Sequence, residues 1–208
     1  PEALRTEAYA AKYDRHTLFY DCTRLDGQDR VLFAAPRMLN LWQVFRDGLR
    51  VDGHRPPRLA RRAYPKYDLV WAPAPRERLS MVIEGQETPI VPNPPLAPRF
   101  AGLNATFTMS RNNRLDWIVD WLAFHVRHHG LQAVLFQDNG SDAYTLDQLS
   151  NCVASVDGLE TAAIQSAPFE YGTSLPRRLS PVSPMFLQLA LMNQARVEAL
   201  SRARAVLN

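Results

Sequence analysis

Two short polar runs carry the side chains best suited to chemistry. QDNGSD (Gln137–Asp142) follows the apolar stretch AVLF (Ala133–Phe136), and SRNN (Ser110–Asn113) follows ATFTM (Ala105–Met109). A carboxylate at the end of a buried strand, here Asp138, accepts hydrogen bonds from N–H or hydroxyl donors such as those of a nucleoside base or ribose. Asn139 both donates and accepts, Gly140 permits φ > 0 and a close approach of the backbone, and Ser141 and Asp142 can brace the loop or reach a ligand. The competing reading is an Asx-type turn leading into a helix, which explains Asn139, Gly140 and Ser141 but gives Asp138 no task.

Both runs must be positioned by the elements around them. Strands are expected over Ala105–Met109, Gln132–Phe136 and Leu159–Gln165, with a fourth apolar run at Ala205–Leu207. Between them lie a helix over Arg114–His129 ended by Gly130 and a second helix opened by Thr145, with Gln148 completing a capping box. A third, of about sixteen residues, starts at Ser183 and Pro184. Alternation of this kind predicts an α/β layer built on a mainly parallel sheet, in which ligands bind beyond the carboxyl ends of strands. Ser110–Asn113 and Asp138–Asp142 follow two consecutive strands, so they should meet at one edge. On the long helix Leu115, Ile118, Val119, Leu122 and Val126 form one stripe, while Trp117, Trp121, Phe124 and His128 form the opposite one. A helix apolar on both sides should sit between two layers, the second being the N-terminal half or a partner subunit.

Residues 1–98 have a different grammar and are expected to form a β-rich region packed on residues 99–208. Strands are expected at Thr17–Cys22, Arg30–Ala35, Asp68–Ala72, Leu79–Glu84 and Pro89–Val91, after a helix over Glu2–Tyr13. Leu39–Arg46 fits strand or short helix. VPNPPLAPR (Val91–Arg99) is too proline-rich for regular structure and joins the two parts.

The composition excludes several function classes. The chain has 208 residues, 46% hydrophobic and 22% charged, with a net charge of +3, as expected of a packed soluble protein. No apolar run is long enough to span a membrane, and no secretory signal is visible. The basic cluster RPPRLARR (Arg55–Arg62) lacks interleaved aromatics, so it reads as a solvated or membrane-surface face rather than a nucleic-acid patch. Cys22 and Cys152 have no metal-ligand spacing and read as free, buried thiols in a reducing compartment. HVRHH (His125, His128, His129) has the spacing of metal ligands but sits at a helix C-terminus, where histidines commonly serve the dipole or the surface. Dinucleotide, P-loop and nucleophile-elbow fingerprints are absent.

The run RNNRLDWIVDWLAFHVRHHGLQAVLFQDNGSD resembles the opening of GT-A-fold glycosyltransferases, especially family 2-like and family 92-like bacterial proteins. The matching positions are Arg111-Asn112, Asp120-Trp121, Phe124-His125, Gly130 and Asp138-Asn139-Gly140-Ser141. The resemblance covers Ala105 to about Asp142 and continues through PFEYG (Pro168–Gly172) and the helix from Gln188. It implies a GT-A, Rossmann-like fold and a cytoplasmic enzyme, or one peripheral at the inner face of the membrane. Such an enzyme transfers sugar from a nucleotide-sugar, a UDP-sugar above all, to a polysaccharide or glycolipid acceptor. Ser110, Arg111, Asn112, Asp138, Asn139, Ser141 and Asp142 would hold the nucleotide, and Trp121 and His125 would lock the helix. The Mg²⁺ or Mn²⁺ of that family binds an Asp-x-Asp motif expected just after a strand like ARAVLN, where this sequence stops; the metal ligands and catalytic residues are therefore expected outside it. A non-catalytic nucleotide-sugar or protein-binding module is the alternative. A nucleotidyltransferase is a third, although its first loop would normally contain glycine.

Overall fold

The computed structural model describes residues 7, 14, 16–74, 78–172 and 185–207. Of the expected N-terminal helix only Glu7 lies among them, and the Ser183–Pro184 helix start lies outside. Contacts divide the chain into two units. Unit 1 comprises Pro1–Pro94 with Phe169–Gln194, and unit 2 comprises Pro95–Pro168 with Ala195–Asn208. The chain is mixed α/β, with one parallel sheet and two antiparallel sheets among the described residues.

Unit 1 is antiparallel. Strands β1 (Asp21–Arg24), β2 (Arg30–Pro36), β4 (Ala60–Ala63) and β5 (Tyr67–Pro73) form a sheet in the order β1-β2-β5-β4. Strands β3 (Leu49–Val51), β6 (Leu79–Ile83) and β7 (Gln86–Ile90) form a second, in the order β3-β6-β7. Leu39–Arg46, which fits either state in sequence, resolves as the helix α1 (Leu41–Gly48). Its Phe45 is fully buried and meets Phe33 edge-to-face. The first strand begins four residues later than expected, because the Asp14 carboxylate accepts the His16 and Thr17 N–H groups and holds them in a turn.

The arginine cluster is not simply a solvated face, and β4 within it was not expected. Arg61 pairs with Asp68 at 2.6 Å from β4, and Arg37 pairs with the same carboxylate at 2.9 Å. Asp68 is fully buried and also accepts the Met38 N–H. A buried carboxylate requires such partners, so arginine is placed on an edge strand that hydropathy alone would leave as loop. Trp42 lies under Arg61, its ring 4.5 Å from the guanidinium carbon, so the segment does meet aromatics, drawn from elsewhere in unit 1.

Unit 2 is built on the parallel sheet, in the order β10-β9-β8-β11, from β8 (Asn104–Ser110), β9 (Ala133–Asp138), β10 (Thr161–Ser166) and β11 (Ala205–Leu207). All six residues of β9 are buried, as expected of a central parallel strand covered on both faces. Side-chain alternation divides the core in two. Ala133 and Leu135 join Ala105 and Ala163 against the short helix α2 (Ala97–Phe100) and the 3₁₀ turn Ala199–Arg202. Val134 and Phe136 face Ile118 and Leu122 of α3 (Leu115–His129) and Leu149 and Val153 of α4 (Leu146–Ala154).

The helix ends are fixed locally. Gly130 caps α3 at φ 60°, with its N–H on the helix carbonyls, and Thr145 and Gln148 form the reciprocal box that opens α4. Glu198 accepts the Leu96 and Ala97 N–H groups and so caps α2 from a distance. The proline-rich joint is less irregular than expected, since it holds α2 and an Asn93 bridge to Thr23. A final helix, α5 (Phe186–Val197), has its first nine residues in unit 1 and its last three in unit 2. Among the described residues no helix is long and apolar enough to cross a membrane.

Candidate functional site

Parallel register brings the two polar runs together. Ser110 stands opposite Asp138 on β8 and β9, and Asp138 stands opposite Ser166 on β10, so three strand ends share one edge. The ladder runs one step further on each side: Asn139 N–H donates to the Ser110 carbonyl at 2.8 Å, and Ala167 N–H donates to the Asp138 carbonyl at 2.7 Å. Asn139 Nδ2 donates to the Ala167 carbonyl at 2.7 Å and ties the third strand's exit to the second. β9 ends two residues later than expected, and Gln137 and Asp138 belong to the strand rather than the loop.

Asp138 is 3% exposed, and its carboxylate faces the following turn. Oδ2 accepts the Ser141 N–H at 2.9 Å and Oδ1 accepts the Ser141 hydroxyl at 2.5 Å. Ser141 Oγ in turn accepts the Asn112 N–H at 2.9 Å and lies 3.1 Å from Tyr144 Oη. An Asx-type turn therefore does give Asp138 a task. It is the anchor of the loop, through which the first polar run reaches the second.

Asn112 completes that connection. Its amide Nδ2 donates to Asp142 Oδ1 at 2.9 Å, while its Oδ1 accepts the N–H groups of Asp142 (2.9 Å) and Ala143 (3.2 Å). The residue adopts φ 56°, a left-handed conformation that asparagine tolerates better than most side chains. Asn113 Nδ2 donates to Ser110 Oγ at 2.9 Å. Gly140 takes φ 70°, and a Cβ there would lie 3.3 Å from Pro168 Cβ, so both conformation and space favour glycine.

Not every candidate joins this network. Ser110, Asn112, Asp138, Asn139, Ser141 and Asp142 are interlocked, whereas Arg111 is exposed and no described residue hydrogen-bonds or ion-pairs with its guanidinium. Asn112 and Asp142 are exposed too, so the outer surface presents an amide, a carboxylate and a free guanidinium. Two donors outside the expected set, Tyr144 and Ala167, complete the frame; the Thr145 cap two residues beyond Ala143 was the signal that this loop is rigidly held.

The α3 residues make a separate cluster in unit 2. His125 Nδ1 lies 2.7 Å from the Trp121 carbonyl, and the rings of Trp121 and His125 are 4.5 Å apart. His125, His128 and His129 all contact the Phe124 ring, and the His125 and His129 rings also meet, with centroids 5.4 Å apart. Trp117 and Phe124 are more than half exposed, so unit 2 does not itself supply the second layer expected on that side. No group of three or more His, Cys, Asp or Glu able to hold a metal occurs among the described residues.

No protein-family model matches this chain, and no curated protein matches it.

Proposed function

We propose that unit 2 is the nucleotide-holding part of a GT-A-type glycosyltransferase that moves a sugar from a nucleotide-sugar, a UDP-sugar, to a polysaccharide or glycolipid acceptor. The enzyme would act in the cytoplasm or at the inner face of the membrane. The observation that carries this reading is the in-register pairing of Ser110 with Asp138. It brings two strand-following loops to the carboxyl edge of a parallel sheet, where α/β proteins bind nucleotides.

The exposed groups suit the two ends of such a ligand. Arg111 offers a planar fork for diphosphate oxygens, with no partner among the described residues to give up. Asp138 keeps acceptor capacity, since a carboxylate has about four lone-pair directions and Ser141 fills two. Asn112 and Asp142 would frame the ribose. In the transfer the bond from the anomeric carbon to the diphosphate oxygen breaks and one to the acceptor hydroxyl forms. The hydroxyl proton passes to a carboxylate base and the diphosphate departs with the electron pair. The described residues do not fit the divalent metal of this chemistry, because Asp138 and Asp142 are both engaged with neighbours and no third ligand joins them.

Calorimetry with UDP-, GDP- and CMP-sugars, with and without Mn²⁺, tests the reading. A UDP-sugar should bind, Arg111→Ala should weaken it roughly tenfold through loss of a charge-assisted contact, and Asp138→Ala should weaken it further. Ser141→Ala releases the same loop while keeping the carboxylate, so it separates ligand contact from loop order. Absence of binding by every sugar nucleotide, or affinity indifferent to both Arg111 and Asp138, would overturn the assignment. One observation favours a second reading, a non-catalytic nucleotide-sugar or protein-binding module: both Asp138 oxygens already serve the fold.

A further inference from the structure

Unit 1 contains a cavity of about 530 Å³, within the roughly 300–1,000 Å³ typical of small-molecule sites. It lies between the segment leading into β1 and the edge strand β7, and Leu18, Phe19, Met81, Ile90 and Phe169 wall it. The floor is preformed. Phe19 is held edge-to-face by Phe33 at 5.2 Å and by Phe45 at 6.4 Å, and Tyr20 is held by Phe169 at 5.3 Å. Ile83 and Val91 also line it and are 42% and 88% exposed, so the apolar surface continues outward.

The electrostatics of the lining are as informative as its shape. Among the described residues no lysine or arginine lines it, and His16 is its one basic side chain. Its one carboxylate, Asp21, is taken up by three donors: Thr23 Oγ1 at 2.5 Å, Asn93 Nδ2 at 2.6 Å and Gln194 Nε2. Burial, aided by the nearby Asp14 carboxylate, pushes the Tyr20 hydroxyl far up. Burial and then Asp21 do the same to the Cys22 thiol against a smaller opposing effect of Arg24, so both groups remain neutral at ordinary pH. Among the described residues the cavity has no arginine or lysine partner for a carboxylate or phosphate, and burying such an ion unpaired is unfavourable.

We propose that this cavity binds an uncharged, single-chain aliphatic molecule, with its polar end inside and its chain running over Phe19 and Met81 to emerge past the Ile83–Val91 rim. The match is one of charge as well as form: a lining whose one carboxylate, with no lysine or arginine among the described residues, disfavours an anion, and an apolar rim where the chain emerges.

The neutral fluorophore N-phenyl-1-naphthylamine tests this on the full chain. Its emission should rise saturably to one equivalent and be reversed by 1-decanol, while decanoate at pH 8 should compete at least about tenfold less well. Thr88→Trp, a change at an exposed lining position of β7, should weaken both ligands about tenfold by filling the space. Val91→Asp, at a position so exposed that folding should be unaffected, should weaken decanol several-fold and keeps the test valid if the tryptophan variant does not fold. The proposal is overturned if no saturable signal forms or if decanoate and decanol compete equally. It also fails if neither variant changes affinity, or if the signal tracks self-association of the protein rather than ligand.

Discussion

Each unit buries one aspartate, and the two are satisfied in opposite ways. Asp68 in unit 1 faces two guanidiniums, Arg37 and Arg61, and one backbone N–H. Asp138 in unit 2 faces the N–H and hydroxyl of a single serine, and among the described residues no cation lies within ion-pair reach of it. The first arrangement is electrically closed: remove any member and a buried charge is left over. The second leaves a net negative charge under a loop whose outer surface carries polar groups and the exposed Arg111 guanidinium. A carboxylate neutralised by arginines has no further use for a donor, whereas one held only by neutral donors still attracts one. That difference adds to the register of Ser110 with Asp138 in favouring a site in unit 2, although the arginines are concentrated in unit 1.

Removing the two carboxylates tests the contrast most severely. Asp68→Ala should destabilise unit 1 by about 3–5 kcal/mol, because it leaves Arg37 and Arg61 uncompensated around a buried position. Asp138→Asn retains an acceptor for Ser141 and should cost about 1–2 kcal/mol. Urea unfolding followed by tryptophan fluorescence measures both. Equal losses would mean that the arginines around Asp68 are not what distinguishes the units.

A smaller effect probes the frame rather than the charge. Asn112→Ala removes the amide that donates to Asp142 and accepts two backbone N–H groups, and it places alanine at φ 56°. A loss of about 1–3 kcal/mol is expected from the hydrogen bonds and the left-handed conformation. It should appear locally, as faster hydrogen exchange at the amides of Asp142 and Ala143, with those of the β9 strand unchanged. Faster exchange throughout β9 would show that the loop and the strand open as one unit.

How far the sequence carried these arguments depended on the kind of signal. The parallel sheet was legible because Gly130 and the Thr145–Gln148 pair punctuate helices whose stripes repeat cleanly, and the meeting of the two polar runs follows from that order alone. Asp138's internal role was not legible, since Ser141 is as good a ligand-binding residue as it is a turn residue. Nor was β4, where a strand reads as ARRA because its arginine serves a carboxylate on the neighbouring strand. The cavity was invisible for a related reason: its walls come from segments some 150 residues apart, from Leu18 to Phe169, and share no local pattern.

The two thiols extend the comparison to the smallest effect. Cys22 is buried in unit 1, while Cys152 in unit 2 is part-exposed and its Sγ donates to the Leu115 carbonyl at 3.2 Å. Both are held above the ordinary thiol range, Cys152 by burial first and then by the Asp116 carboxylate. A folded-state value above the unfolded one means that, as pH rises past about 8.5, the unfolded chain loses its thiol protons first. Each thiol therefore subtracts stability above that pH and contributes no pH dependence below it, Cys22 the more strongly. Labelling with a disulfide reagent at pH 8 should reach Cys152 slowly and Cys22 only when unit 1 unfolds. Asp116→Asn removes an exposed, screened charge and should speed Cys152 labelling roughly twofold without altering Cys22. Acceleration of both sites together would mean that the substitution loosens the chain as a whole, and the two units could no longer be treated as responding separately.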